Sequence, residues 1–211
     1  MKALIVSSGN IENLNIIKRV CEDVDLVVCA DGGADLVVKA DRIPDIVIGD
    51  LDSIDKDTLK RLKEYKVKFI EFPTKKDKTD TELAIDYVIE ESFNEIVLVG
   101  VTGTRLDHTL ANIFLLYSLL QKGVKATIID DHNEIFITND ELVLYKDEKK
   151  YVSIIPFNGD LLGVTLKGFE YETEKENIKF SSTLGISNTL VSDKGIIKVE
   201  EGVCLVIKSI D

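Results

Sequence analysis

Residues Leu26–Ile54 read LVVCADGGADLVVKADRIPDIVIGDLDSI, and this stretch decides the fold. Two short apolar runs, Leu26–Ala30 and Ile46–Ile48, each end on glycine and aspartate: Asp31-Gly32-Gly33 after the first, Gly49-Asp50-Leu51-Asp52-Ser53 after the second. Runs that are β-branched and almost continuously apolar suit strands covered on both faces of a parallel sheet. Working outward, the same kind of run recurs at Ala3–Val6, Lys68–Phe72, Ile96–Val99 and Ala126–Ile129. Amphipathic segments lie between them, among them Asp55–Tyr65, Thr79–Glu91 and Leu106–Lys122, the last closed by Lys122 and Gly123 as a helix end and its left-handed cap. Strands alternating with helices predict right-handed crossovers and an open, mainly parallel α/β sheet flanked by helices.

Beyond about Asn133 the rhythm changes. Glu134–Thr138, Leu142–Tyr145, Tyr151–Pro156, Gly163–Leu166, Ile196–Val199 and Val203–Lys208 read as short strands split by polar or glycine turns. No helix of usual length is needed there, and the spacing indicates a small all-β sandwich or barrel. The expected division is 1–133 for the α/β domain and 134–211 for the β domain.

Composition excludes several classes. The formal net charge is −12 over 211 residues, which is the opposite of the basic patch of a nucleic-acid binder. No apolar run approaches the roughly 20 residues that span a bilayer, so no membrane role is expected. The opening MKALIVSS is too short for a signal-peptide core and reads as a first strand. Cys21, Cys29 and Cys204 have no CxxC spacing and read as buried thiols. His108 and His132 are not at metal-ligand spacing. The expected location is the cytoplasm.

The polar residues fall where such a sheet binds ligands, beyond the carboxyl ends of its strands. Asp31, Gly32 and Gly33 follow one strand, Asp50 and Asp52 the next, Thr79-Asp80 precedes a helix, and GVTGTRLD (Gly100–Asp107) follows Ile96–Val99. Each has a plainer reading. Asp31 and its glycines could shape a turn, Asp52-Ser53 could cap the helix near Asp55, Thr79 with Glu82 fits a capping box, and Arg105 with Asp107 could be a surface ion pair. Their joint placement on one rim argues for more. Crowded carboxylates disfavour one another's ionised forms, and a divalent cation removes that conflict. Mg²⁺ characteristically takes a few carboxylates together with substrate phosphates. Asp50 and Asp52 can face one ion, with Asp80 a third ligand. Glycines at 32, 33, 100 and 103 let amide groups approach phosphates, and Arg105 offers a positive fork. The chain has no G-x-x-x-x-G-K-[ST], no G-x-G-x-x-G after its first strand and no G-x-S-x-G.

The strings ADGGAD (Ala30–Asp35), PDIVIGDLDSI (Pro44–Ile54), KTDTELAI (Lys78–Ile85), GTRLDHTLAN (Gly103–Asn112) and GISNT (Gly185–Thr189) together resemble the thiamine pyrophosphokinases, in order and across nearly the whole chain. The resemblance implies an α/β catalytic domain that binds ATP and Mg²⁺, followed by a β-sandwich for thiamine binding and dimerisation. It implies a homodimer with thiamine bound across the subunit interface, and transfer of pyrophosphate from ATP to the thiamine hydroxyl with release of AMP. Carried onto this chain, Asp50, Asp52 and Asp80 are the metal ligands. Asp31, Gly32, Gly33, Thr79, Gly103 and Arg105 are the ATP contacts. Asp107 orients Arg105 or helps deprotonate the hydroxyl, and Ser187 and Asn188 recognise the aminopyrimidine. Gly185 stands where some members have serine, and the chain has no tryptophan, which some members stack on thiamine. Two rivals share parts of this pattern. A hydroxymethylpterin pyrophosphokinase would keep the acids but lack Ser187-Asn188. A DxD phosphohydrolase would use Asp50 as nucleophile, with Asp130-Asp131 after another strand.

Overall fold

The computed structural model describes residues 1–73 and 77–211. The chain divides into two compact units, Met1–Asp131 and His132–Asp211.

Among the described residues of the first unit six strands pair entirely in parallel: β1 (Lys2–Val6), β2 (Leu26–Ala30), β3 (Ile46–Gly49), β4 (Lys68–Glu71), β5 (Glu95–Val99) and β6 (Lys125–Ile129). Their spatial order is β4-β3-β2-β1-β5-β6. The sheet therefore grows one way from β1 to β4, then restarts on the other side of β1 with β5. A right-handed crossover that reverses direction must place its helix on the opposite face. Alternate strand residues accordingly sort into two layers. Leu4, Val6, Val27, Cys29, Val47, Val97 and Val99 form one core with side chains of α1 (Asn15–Cys21), α2 (Gly33–Lys39) and α3 (Lys56–Glu64). α4 (Asp80–Glu90), which crosses back, packs against β1, β2 and β3, and α5 (Leu106–Gln121) packs against β6.

Helix boundaries follow local chemistry. Asp55 caps α3, its side chain accepting from the amides of Asp57 and Thr58. Thr79 caps α4 by accepting from the Glu82 amide at 3.2 Å, as the Thr79–Glu82 pattern predicted. Gly123, at φ +71°, follows the last turn of α5. One strand differs from its reading. β4 is an edge strand with Lys68 and Glu71 exposed, not an apolar strand covered on both faces.

The second unit holds two antiparallel arrays. β13 (Cys204–Ser209) runs between β7 (Asn133–Thr138) and β9 (Tyr151–Pro156). A four-stranded sheet has the order β11 (Thr173–Ile178), β10 (Leu161–Lys167), β12 (Lys194–Lys198), β8 (Glu141–Tyr145). Their inward residues, including Val152, Ile154, Leu166, Phe169, Ile197 and Val206, form one core. No helix is found among the described residues of this unit. No helix among the described residues is long and apolar enough to cross a membrane.

Candidate active site

The reversal between β1 and β5 opens a crevice at their carboxyl ends, the place where open α/β sheets hold ligands. The segments Ser7–Asn10 after β1 and Gly100–Arg105 after β5 form its walls. Thr81, His108, Thr109 and Asn112 complete a cleft of about 330 Å³. The walls are laced together, Gly9 N–H donating to Gly100 C=O at 2.6 Å and Asn10 N–H to Thr102 C=O at 3.0 Å. A Cβ on Gly9 would stand 2.3 Å from the Thr102 carbonyl oxygen, so only glycine permits this approach. The floor is polar. Ser7 and Thr81, both buried, share a hydroxyl–hydroxyl hydrogen bond at 2.8 Å, and Asn112 donates to Val101 C=O at 2.7 Å.

Beside the cleft the acidic loops converge. Gly32 links the two regions: a Cβ there would meet Ser8 Cβ at 3.3 Å on one side and Ser53 Oγ at 3.1 Å on the other. One carboxylate oxygen each from Asp31, Asp50 and Asp52 lie within 4.8 Å of one another. Backbone geometry holds them there. Asp31 and Leu51 both take left-handed φ values, 48° and 64°, a conformation costing about 1 kcal/mol or more for a residue such as leucine. Leu51 curls the loop so that Asp52 N–H reaches back to Asp50 Oδ1 at 3.4 Å. Asp80 Oδ1 lies 3.1 Å from where a Cβ on Gly49 would stand, which places it against the loop carrying Asp50.

These charges are felt. A hydrogen bond that protonated Asp52 donates to Asp50, then the charge of Asp50, raises the Asp52 pKa above its ordinary value, with further contributions from the charges of Asp31 and Asp80. Ser53 Oγ donates to Asp31 Oδ2, while the buried Asp31 Oδ1 has no hydrogen-bond partner among the described residues. An orphaned carboxylate oxygen among like charges, with an all-oxygen donor set, fits a hard divalent cation. Asp31 thus joins Asp50 and Asp52, although the sequence places it only with the nucleotide contacts.

Other predicted site residues fall into distinct settings. Arg105 and Asp107 are exposed and form a two-pronged pair, Nη2–Oδ2 2.6 Å and Nε–Oδ1 3.2 Å. That hydrogen bond lowers the Asp107 pKa and raises that of Arg105. Gly103 N–H is already given to Thr109 Oγ1 at 3.1 Å. Gly33 is required by packing, since its Cβ would fall 2.0 Å from Val6 C=O. Ser187 is exposed at a left-handed φ of 59°, its amide donating to Ser153 Oγ at 3.1 Å. Asn188 is only 5% exposed. Its Oδ1 accepts from the amides of Tyr171 (3.0 Å) and Thr189 (2.9 Å), and its Nδ2 donates to Tyr171 C=O at 2.8 Å. That amide therefore serves the chain's own backbone.

The wall Ser7–Asn10, the floor residue Thr81 and Thr102 of the other wall are absent from the sequence-based set. SSGN after the first apolar run was the available signal. Its meaning depends on β5 lying beside β1, which no local pattern reveals.

An open parallel sheet with a polar cleft at its switch point, flanked by converging carboxylates and a guanidinium, defines an α/β enzyme of phosphoryl-group transfer. The family profile "Thiamin pyrophosphokinase, catalytic domain" matches residues 17–128, and "Thiamin pyrophosphokinase, vitamin B1 binding domain" matches 132–204. Thiamine pyrophosphokinase of Bacillus subtilis (strain 168) is 34% identical over the whole of both chains. Thiamine pyrophosphokinase 2 of Arabidopsis thaliana is 25% identical over 94% of this chain and 82% of its own. The crystal structure of the Bacillus subtilis enzyme superposes with a TM-score of 0.90 at 33% identity, covering all of both chains. That of the Geobacillus thermodenitrificans enzyme gives 0.86 at 30%, covering 100% of this chain and 98% of that one. The chain belongs to the thiamine pyrophosphokinase family: it is a diphosphotransferase that carries pyrophosphate from ATP to thiamine.

Proposed function

We propose that the cleft between β1 and β5 receives ATP, that Asp31, Asp50, Asp52 and Asp80 hold Mg²⁺ at its phosphates, and that the Ser187 loop receives thiamine in a cytoplasmic homodimer. The observation that carries this reading is the convergence of Asp31, Asp50 and Asp52 beside the cleft, with Asp31 Oδ1 unpartnered among the described residues. These four carboxylates would hold the ion, which would supply positive charge to offset that developing on the phosphoryl oxygens during transfer.

The chain's own residues bind and orient. Arg105 sits at the mouth of the cleft with a planar fork suited to phosphoryl oxygens, and Asp107 holds that fork in place. Asp107 is a poor base in this setting because Arg105 stabilises its ionised form. The two-pronged pairing with Arg105 supports orientation of the guanidinium as its task. Thr79 caps α4 and so sets the direction of Asp80, while Gly32 and Gly33 let the loops pass closely. Catalysis of this type depends mostly on positioning and charge, so rigid loops matter more than a strong base.

On the thiamine side, Ser187 is the exposed polar group and Asn188 fixes the loop that presents it. Asn188 also clamps the backbone of Tyr171, whose ring is 67% exposed. With no tryptophan in the chain, Tyr171 is the aromatic surface held next to the Ser187 loop, and a flat aromatic ring stacks on another by about 1 kcal/mol. Phe180, Leu184, Ile186 and Val191 are exposed along the same segment. An apolar patch of this kind suits a second copy of the chain.

Calorimetric titration with a non-hydrolysable ATP analogue, with and without Mg²⁺, tests the metal assignment. Tight binding is expected only with the ion, and equal binding in its absence would overturn it.

A further inference from the structure

Asp130 and Asp131 follow β6 and belong to no predicted nucleotide contact; a hydrolase reading alone gave them a role. Their oxygens are engaged with the cleft walls. Asp131 accepts from two successive backbone amides of the β1–α1 loop, Glu12 N–H to Oδ2 at 2.8 Å and Asn13 N–H to Oδ1 at 2.9 Å. Asp130 Oδ2 accepts from Thr102 Oγ1, on the opposite wall, at 2.9 Å.

We propose that Asp130 and Asp131 are positioning residues for nucleotide binding, one aspartate fixing each wall of the cleft from the end of β6. This rests on the reading of the cleft as the nucleotide site. Between Ser7 and Leu14 the loop has no regular structure of its own, and the N-cap of α1, Leu14, has no capping side chain. Its first half is held by the backbone bonds of Ser7, Gly9 and Asn10 to the Val99–Thr102 segment. Its second half is held at Glu12 and Asn13 by both oxygens of Asp131, and carboxylate-to-amide bonds are stronger than neutral ones. The other wall runs without a helix or strand from Gly100 to Arg105, and Thr102 is its midpoint. Neither aspartate lines the cleft. They act through Ser7–Asn10 and Thr102, which do.

The test is Asp131→Asn, which keeps the size but offers one acceptor in place of two and presents an NH₂ to a backbone N–H. Steady-state kinetics would be measured with ATP and with thiamine as the varied substrate, alongside hydrogen exchange at Ile11–Leu14. The expected result is a KM for ATP raised about tenfold, an unchanged KM for thiamine, and faster exchange confined to that loop. Thr102→Val removes the hydroxyl that Asp130 holds, and Asp130→Ala removes the same contact without altering the cleft lining; each should raise the ATP KM about threefold, whether or not Asp131→Asn folds, and Thr102→Ser, which keeps the hydroxyl, should restore it. Faster loop exchange with both KM values unchanged would overturn the positioning role while leaving the cleft assignment intact. A raised thiamine KM at unchanged ATP KM would overturn the cleft assignment itself, and the positioning role with it. Failure of Thr102→Ser to restore the Thr102→Val loss would overturn the Asp130 half.

Discussion

Two acidic pairs stand at carboxyl ends of strands in the same sheet, and they live differently. Asp50 and Asp52, after β3, face each other and Asp31, so that Asp52 resists ionisation. Asp130 and Asp131, after β6, face hydrogen-bond donors, a hydroxyl and two amides. Residue type and topological position are the same in both. What differs is the surroundings: like charge gathers around the first pair and cross-loop donors around the second, which separates an acidic cluster suited to a cation from a brace for the loops around it.

The comparison can be broken most directly at Asp50 and Asp52. Alanine at either should lower kcat/KM by about a hundredfold or more, measured as AMP release with thiamine and ATP. Thermal unfolding of the metal-free variants should not fall far below that of the parent, because each change relieves like-charge repulsion in the cluster. A large loss of stability would place these acids with the braces. Arg105→Ala comes next, with a loss of about tenfold to a hundredfold in kcat/KM; Arg105→Lys should recover only part of it, since an ammonium cannot supply the planar fork.

The β unit carries its own version of the contrast, in adjacent residues. Asn188→Ala strips three backbone groups of their buried partner and should cost about 2–3 kcal/mol in urea unfolding. Ser187→Ala should leave stability nearly unchanged and raise the KM for thiamine. Equal stability losses for the two would erase the distinction between presenter and scaffold.

The smallest expected effect is on pH. The folded metal-free protein holds the Asp52 proton more tightly than the unfolded chain does, through the Asp50 hydrogen bond and charge. Stability from this group is therefore present below the ordinary aspartate value of about 3.9 and is lost as pH rises through the raised folded value. Asp107 has the opposite sign: its lowered pKa gives stability above the ordinary value that is lost as pH falls through the folded one. Both groups are exposed, so the slopes are shallow. Asp52→Asn should abolish the first slope and leave the second, as read from unfolding midpoints between pH 3 and 6.

The parallel sheet was legible because its central strands are covered on both faces and so read as unbroken apolar runs: Leu4, Val28, Val47 and Leu98 are all fully buried. β11 was not legible. Thr173–Ile178 reads TEKENI, and only its last residue is buried. It lies at a sheet edge, where charged side chains discourage pairing with another chain and erase the alternation that marks a strand. Asp31 was visible as a residue of interest but not as a companion of Asp50 and Asp52. That companionship depends on β2 lying next to β3 and on left-handed backbone at Asp31 and Leu51.

The sequence by itself determined the two kinds of secondary structure, the strand ends at which polar residues gather, and the family those residues mark. Local patterns suffice for these because hydrophobic periodicity and turn chemistry act over a few residues. The tertiary structure alone decided which carboxylates meet, that β1 and β5 are neighbours with a cleft between their ends, and that Asn188 and Asp131 spend their polar groups on the protein's own backbone. Those facts depend on atoms up to 119 residues apart in the chain being brought within hydrogen-bond distance. The nearest-neighbour physics that shapes a strand or a helix carries no record of such meetings.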